Sequence, residues 1–387
     1  MGHTVFVLGG GRMGLVAVRD LIRSPQIDSV TIGDFDTSRA QDLAGSIASD
    51  KIRTKEVDAT RHEDLVNAIR GSDVLINAIW YEHNLNVMKA AISAGVHYND
   101  LGGLFHMTKK QLELNDQARE ANITAVLGGG ESPGITNVLA ALCAESLDEV
   151  EAIRIRVGGK EISQPKSNQL LFPFAVSTVF DEYSKPPVMY LNGEFREMPP
   201  LSGEEEVTFP QPVGLNRCHY SIHSEIATLP LRYGGVRDVD FKLGISEKIF
   251  KAIKPLIDAG LADTSPITLK GINISPREYA IAYLTSRVSN EEPVRCVALR
   301  IEVDGKKDGR DSAITATLVG EPSPEFQVKN ATGLLTGIGA SIVAQQLADG
   351  TISRRGAFAP EACISPGSFV EELAKRSLKV EVKTEFR

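Results

Sequence analysis

The chain has 387 residues, with 42 Lys and Arg against 50 Asp and Glu, a net charge of −8 and no run of five like charges. That length suits two domains and part of a third, and that charge argues against a nucleic-acid or anionic-membrane partner and for a small molecule. Hydrophobic residues at 42% and charged residues at 24% exclude wholesale disorder. Cys143, Cys218, Cys296 and Cys363 lie far apart with no C-x-x-C pair, which fits a reducing cytoplasm better than a disulfide framework or a zinc site. No basic segment precedes the first apolar run, and apolar stretches end at about seven residues, as in VLINAIW at 74–80, so neither a leader nor a membrane span is expected.

The first 130 residues alternate short β-branched runs with helical patterns, the signature of an α/β fold whose parallel sheet is doubly wound by helices. Strands are predicted at 4–9, 29–34, 52–57, 73–79, 96–100 and 123–127. Helices are predicted at 12–23, 37–49, 62–70, 84–94 and 108–121, with Thr108 as N-cap of the last and Gly95 and Asn122 as helix stops. Residues 131–330 favour strands and long connections, including a Pro-rich loop stretch at 185–212 and a hairpin within 294–320 turning around Gly305 to Gly309, and form an α+β insert. Residues 331–387 open with a small-residue helix and are expected to pack, with the tail, on the first domain.

Directly after the first strand, Gly9, Gly11 and Gly14 match G-x-G-x-x-G. Gly9 suits the tight turn, Gly11 close approach of a pyrophosphate, and Gly14 close helix–strand packing, with Arg12 and Met13 opening the helix whose N-terminus favours the anion. Arg12 is also within reach of a phosphate. Asp34 ends the second strand 20 residues after Gly14, where its carboxylate accepts from ribose hydroxyls and repels a 2′-phosphate, favouring NAD over NADP. Asp36 suits a helix cap. Asp58, with Ala59, fits either an adenine contact or the N-cap of helix 62–70. Asn77 and Ala78 end the fourth strand, at the carboxyl edge where open α/β sheets bind ligands.

The segments VFVLGGGRMG, NAIWYEHN (77–84), DLGG (100–103), ESPGITNVLA (131–140), KDG (307–309) and GTISRRGAFAPE (350–361) together resemble the saccharopine dehydrogenase-like oxidoreductases, and among them the bacterial lysine 6-dehydrogenases. The resemblance implies a Rossmann domain interrupted by a substrate and dimerisation domain, a homodimer or higher homo-oligomer, and hydride transfer between a nitrogen-bearing carbon and nicotinamide. It points to oxidation of the terminal amine of L-lysine to 2-aminoadipate 6-semialdehyde with release of ammonia. Two other readings stand beside it: an opine-type reductase joining an amino acid to an aldehyde or keto acid, and a non-catalytic NAD-binding protein. In CHYSIHSEIATLPLRY (218–233) the chain departs from the lysine 6-dehydrogenases by carrying His223, Ser224 and Glu225.

Amine oxidation needs a base near the nicotinamide. Asp100, ending strand five beside Gly102, fits a base, an ammonium-binding carboxylate or a cap of the DLGG turn. Glu131, in a glycine-rich loop, fits a substrate contact or a turn carboxylate. His219, His223 and Glu225 stand at alternating positions and would share one face if the segment is a strand. No fourth zinc ligand is evident beside them, and no metal is expected. A substrate carboxylate calls for a guanidinium, and Arg217, Arg232, Arg237 and Arg310 of the insert are candidates among which the sequence does not choose, Arg310 being the one named for the site. Tyr81 is a candidate wall of the nicotinamide pocket, and Trp80 a core residue.

Overall fold

A computed structural model describes residues 2–47, 49–163, 172–244, 246–287 and 293–387. The first unit alternates β1 (His3–Leu8), α1 (Arg12–Leu21), β2 (Ile27–Asp34), α2 (Thr37–Ile47), β3 (Ile52–Glu56), α3 (His62–Ile69), β4 (Val74–Asn77), α4 (Asn84–Ala94), β5 (His97–Asp100), α5 (Leu104–Leu112), α6 (Asn115–Glu120) and β6 (Thr124–Val126). The six strands lie within two residues of their expected bounds, because β-branched runs too short for a helix leave little choice. Gly95 and Asn122 end their helices with positive φ of 70° and 56°. The expected helix 108–121 is instead two helices broken at Leu114, and Thr108 is no cap: it lies buried inside α5, its hydroxyl 3.0 Å from Ser224 Oγ.

Next come α7 (Ile135–Ala144), β7 (Glu149–Glu161), α8 (Val176–Ser184), β8 (Val188–Leu191), β9 (Glu194–Glu197), β10 (Glu205–Thr208), β11 (Leu215–Tyr220), α9 (Glu225–Arg232), β12 (Asp238–Gly244), α10 (Glu247–Leu256), β13 (Ile267–Leu269), β14 (Ile272–Ile274), α11 (Pro276–Arg287), β15 (Arg295–Lys307) and β16 (Arg310–Gly320). The chain ends with α12 (Ala331–Ala348), β17 (Gly356–Phe358), α13 (Pro360–Cys363), α14 (Pro366–Lys375) and β18 (Val380–Phe386). The stretch 185–212 is more loop than strand, as expected, with the three short strands β8, β9 and β10 set into it. The hairpin turns on Asp308 and Gly309 alone, with φ of 52° and 72°, the tight two-residue geometry that matches strand twist; β15 continues through Gly305.

The first sheet is parallel throughout, in the order β17-β6-β5-β4-β1-β2-β3. The second runs β10-β11-β12-β7-β15-β16-β18, with β8 on β12 and β9 on β8, and is antiparallel except where β12 meets β7. Helix α12 returns to α1 so closely that a Cβ on Gly337 would fall 2.5 Å from Val16 Cβ. The ends of this region are tied by Arg376 to Asp20 at 2.8 Å and Ser341 to Asp20 at 2.7 Å. The tail does not stay on the first unit: β17 extends the parallel sheet, but β18 crosses to the second sheet and pairs with β16. One apolar cluster joins Val5 and Val7 of β1, Ile338 of α12 and Ile301 of β15, which holds the carboxyl edge of the parallel sheet against the second sheet.

Candidate active site

The glycine turn leaves room where a dinucleotide needs it. A Cβ on Gly14 would stand 2.2 Å from the Gly9 carbonyl oxygen, so only glycine lets α1 lie this close to β1. Helix α1 starts at Arg12 after Gly11, which provides no side-chain cap, and its first N–H groups have no intrahelical partner and face the turn. Asp34, at the end of β2 and 6% exposed, accepts from Gly10 N at 2.7 Å and from Asp36 N at 3.1 Å. The residues present therefore fit a nicotinamide dinucleotide, with the diphosphate on the α1 terminus and the ribose beside Asp34. Arg12 is exposed at the mouth of this turn, while Met13 and Ala78 line the cavity described below.

Three neighbours have partners within the protein. Asn77 is buried, its amide donating to Asn84 Oδ1 and Tyr98 Oη, so it braces the sheet instead of facing the cofactor. Asp58 closes a turn onto Thr60, accepting from its N–H at 2.9 Å and its hydroxyl at 2.7 Å, which lowers its pKa, and the cap of α3 is Arg61. Ala59 gives its carbonyl to Asn86 and packs its methyl on the core beneath. Asp36 behaves as a cap, accepting from Ser38 N at 3.0 Å.

A cavity of about 260 Å³ opens beyond Met13 and Ala78, between the ends of β4 and β5 and the face of β7 and β12. Gly102, with φ of 121°, shapes its floor: a Cβ there would fall 2.6 Å from Pro133 Cδ. Trp80 and Tyr81 form one wall, so Trp80 is not the core residue expected; its Nε1 is buried and without a partner. The Tyr81 hydroxyl donates to Asp181 at 2.5 Å and accepts from Lys185 at 3.0 Å, while Arg277 holds the other oxygen of Asp181 at 2.6 Å. Burial, then the Asp181 carboxylate, raises the Tyr81 pKa and keeps the phenol neutral.

Besides Tyr81, the ionisable side chains that line this cavity are His223, Glu131 and Glu182. His223 stacks on Phe241, centroids 3.8 Å apart, and its Nδ1 meets Glu225 Oε2 at 2.6 Å. Glu225 is wholly buried at the start of α9, its Oε1 accepting from Ser132 Oγ at 2.8 Å and Thr136 Oγ1 at 2.7 Å. Burial works against the imidazolium, but the charge and hydrogen bond of Glu225 outweigh it and raise the His223 pKa; burial likewise opposes ionisation of Glu225, and His223 and Thr136 reverse it. Glu131 and Glu182 each have one buried carboxyl oxygen without a partner, Oε1 and Oε2 respectively. Burial pushes Glu131 up to about 8 against the pull of Arg295, and Glu182 up to about 7 against the pull of His223.

Asp100 is not part of this surface. Its four donors are Gly102 N, Gly128 N, Tyr98 Oη and Gln111 Nε2, at 2.9, 2.8, 2.9 and 2.6 Å. With no face left for a substrate, it anchors the DLGG turn; burial raises its pKa and these donors hold it back. His219 does not share a face with His223 and Glu225, because the strand ends at Tyr220 and Glu225 opens a helix. It stacks on Phe250 and meets Glu204 at 3.6 Å in a separate cavity of about 730 Å³. Arg310 sits at the hairpin turn over Phe386 and lines neither of these two cavities. Glu182, Ser132, Thr136 and Arg277 escaped sequence reasoning. A signal existed for Glu182 alone: it shares a helical face with Val179 and Tyr183, where an acidic residue is out of place. Among the described residues no cluster of three or more His, Cys, Asp or Glu could hold a metal ion, and no helix is long and apolar enough to cross a membrane.

Residues 5–126 match the saccharopine dehydrogenase NADP binding domain, and residues 130–378 the saccharopine dehydrogenase C-terminal domain. The chain belongs to the saccharopine dehydrogenase family. It is accordingly an NAD(P)-dependent oxidoreductase acting on CH–NH groups of amines or imines. Among its relatives is carboxyaminopropylagmatine dehydrogenase of Synechocystis sp., 22% identical, with 97% of this chain and 96% of the relative covered. Carboxynorspermidine synthase of Vibrio alginolyticus is 24% identical, covering 78% of this chain and 75% of the relative. The fold is that of saccharopine dehydrogenase (L-Glu forming) from Saccharomyces cerevisiae, with TM-score 0.76, 19% identity and coverage of 99% and 100%.

Proposed function

We propose that this member of the family forms, or in reverse cleaves, the C–N bond of a secondary amine that joins a multiply charged amine of the polyamine-precursor kind to an aldehyde or keto acid, using NAD in preference to NADP. The observation that carries this reading is the pair Glu131 and Glu182. Two buried carboxyls with unpartnered oxygens, lining one cavity beside the separately paired His223 and Glu225, call for more than one cationic group on the substrate. Free lysine, once its reacting amine is neutral, offers one. The names of the relatives lean the same way, which weakens the lysine reading drawn from the sequence. A protein that merely binds the dinucleotide would have no use for a buried imidazole–carboxylate pair facing the cavity.

With its diphosphate held at the glycine turn and its nicotinamide directed into the cavity past Met13 and Ala78, the dinucleotide would supply or accept the hydride. Glu225 holds the Nδ1 proton of His223, which leaves Nε2 for the substrate nitrogen. His223 gives a proton to that nitrogen as the imine carbon is reduced and takes it back in oxidation, and Glu225 stabilises the imidazolium in either direction. Ser132 and Thr136 keep the Glu225 carboxylate from turning away. Leu101, Leu104, Phe174 and Leu243 exclude water around the reacting bond. The test is reduced-cofactor formation with carboxynorspermidine, carboxyaminopropylagmatine, saccharopine and lysine. Turnover of the first two above the others is expected, and a clear preference for lysine overturns the proposal.

A further inference from the structure

Among the described residues two arginines are buried, Arg156 and Arg295, and they differ from each other: Arg156, like the half-buried Arg277 and Arg376, is paired, and Arg295 is not. Arg156 meets Asp240 and Glu205, Arg277 meets Asp181, and Arg376 meets Asp20 and Glu372. Arg295, first residue of β15 and 7% exposed, has no carboxylate within 4 Å among the described residues, and its Nε is buried without any partner. An isolated buried charge is costly and rarely kept without a use. The fold also makes room for it: a Cβ on Gly159 of β7 would fall 2.1 Å from Arg295 Nη2.

Arg295 borders the cavity of about 730 Å³, together with Glu161, Glu204, Arg217, His219 and Phe250, a lining that carries both signs of charge. It also stands near the smaller cavity, because its charge pulls on Glu131 without forming an ion pair with it, while burial depresses its own pKa against the pull of Glu161 and Glu131. A guanidinium that lacks a protein acceptor matches a carboxylate through two parallel hydrogen bonds.

We propose that Arg295 binds a carboxylate of the substrate, and that the larger cavity takes the carboxylate-bearing arm while Glu131 and Glu182 hold the amine end. This rests on the secondary-amine reading above and adds to it the residue and the cavity that receive the acid arm. It also names the guanidinium, which is none of the four arginines that the sequence suggested.

The test is calorimetric titration of the NAD-loaded enzyme with carboxynorspermidine and with norspermidine, its counterpart lacking the carboxyl group, in wild type, Arg295→Met and Arg295→Lys. Wild type should favour carboxynorspermidine at least tenfold. Arg295→Met should weaken that ligand by roughly 10- to 100-fold and leave norspermidine unchanged, with Arg295→Lys in between. Because no ion pair with the described residues is broken, Arg295→Met should melt no lower than wild type in the ligand-free state. A carboxylate preference that is absent from wild type, or that survives Arg295→Met, overturns the proposal. So does a large fall in the Tm of Arg295→Met, which would mark a structural partner. Arg295-dependent binding without turnover of either compound leaves this inference standing and removes the proposed reaction; turnover indifferent to Arg295→Met does the reverse.

Discussion

His223 Nδ1 lies 2.6 Å from Glu225 Oε2, and the two residues come from different elements: the histidine from the loop after β11, the glutamate from the first turn of α9. The carboxylate fixes both the orientation of the ring and the nitrogen that faces the cavity. His223→Gln should lower kcat by roughly 10²- to 10⁴-fold while leaving NAD affinity, read by fluorescence titration, within about twofold. Glu225→Gln removes the charge that raises the imidazole pKa, so the limb of the kcat–pH profile assigned to His223 should move to lower pH. A limb that does not move separates His223 from the proton transfer.

Asp100 answers to stability. Asp100→Asn keeps the shape but turns one acceptor oxygen into an N–H₂ facing donors, which should cost about 1–3 kcal/mol and lower Tm by several degrees. The folded fraction should keep more than about half of the wild-type kcat. A normal Tm with a kcat lower by a hundredfold would return Asp100 to the chemistry.

Glu131 and Glu182 link binding to pH. With folded pKa values of about 8 and about 7 against an ordinary 4.5, the folded protein keeps protons that the unfolded chain has already lost. Their contribution to stability therefore falls as pH rises from 4.5 through 7 to 8. Glu131→Gln should raise the Tm at pH 9 and leave it little changed at pH 4, measured by differential scanning fluorimetry. Affinity for a polycationic amine should rise over the same interval in wild type, as the carboxyls ionise, and lose much of that rise in the variant.

Cofactor choice rests on Asp34. Its carboxylate beside Gly10 N would stand against a 2′-phosphate, and the next residue, Phe35, is exposed and carries no charge to receive one. NAD should be preferred over NADP by at least tenfold in kcat/KM, about 1.4 kcal/mol. Asp34→Ser should narrow that ratio by weakening NAD and improving NADP. Equal use of both by the wild type would contradict the assignment.

Local pattern alone determined six of the seven strands of the parallel sheet, their alternation with helices, and the glycine turn, because each of these depends on short segments. Strand period, helix stops at Gly95 and Asn122, and the spacing of Gly9, Gly11 and Gly14 are properties of short segments. The same local view failed at His219. Alternation predicted one face for residues 219, 223 and 225, but tertiary packing ends the strand at Tyr220 and opens a helix at Glu225, so His219 turns to a different cavity. Asp100 carried the right residue type at the right sheet edge, and only the arrival of Gln111 and Gly128 from distant segments showed that its lone pairs are taken. Glu182 joins the site because α8 packs across the opening, and Arg295 is marked out because no carboxylate among the described residues forms an ion pair with it. Partners, and the lack of them, are set by contacts between residues far apart in sequence, which the tertiary structure decides.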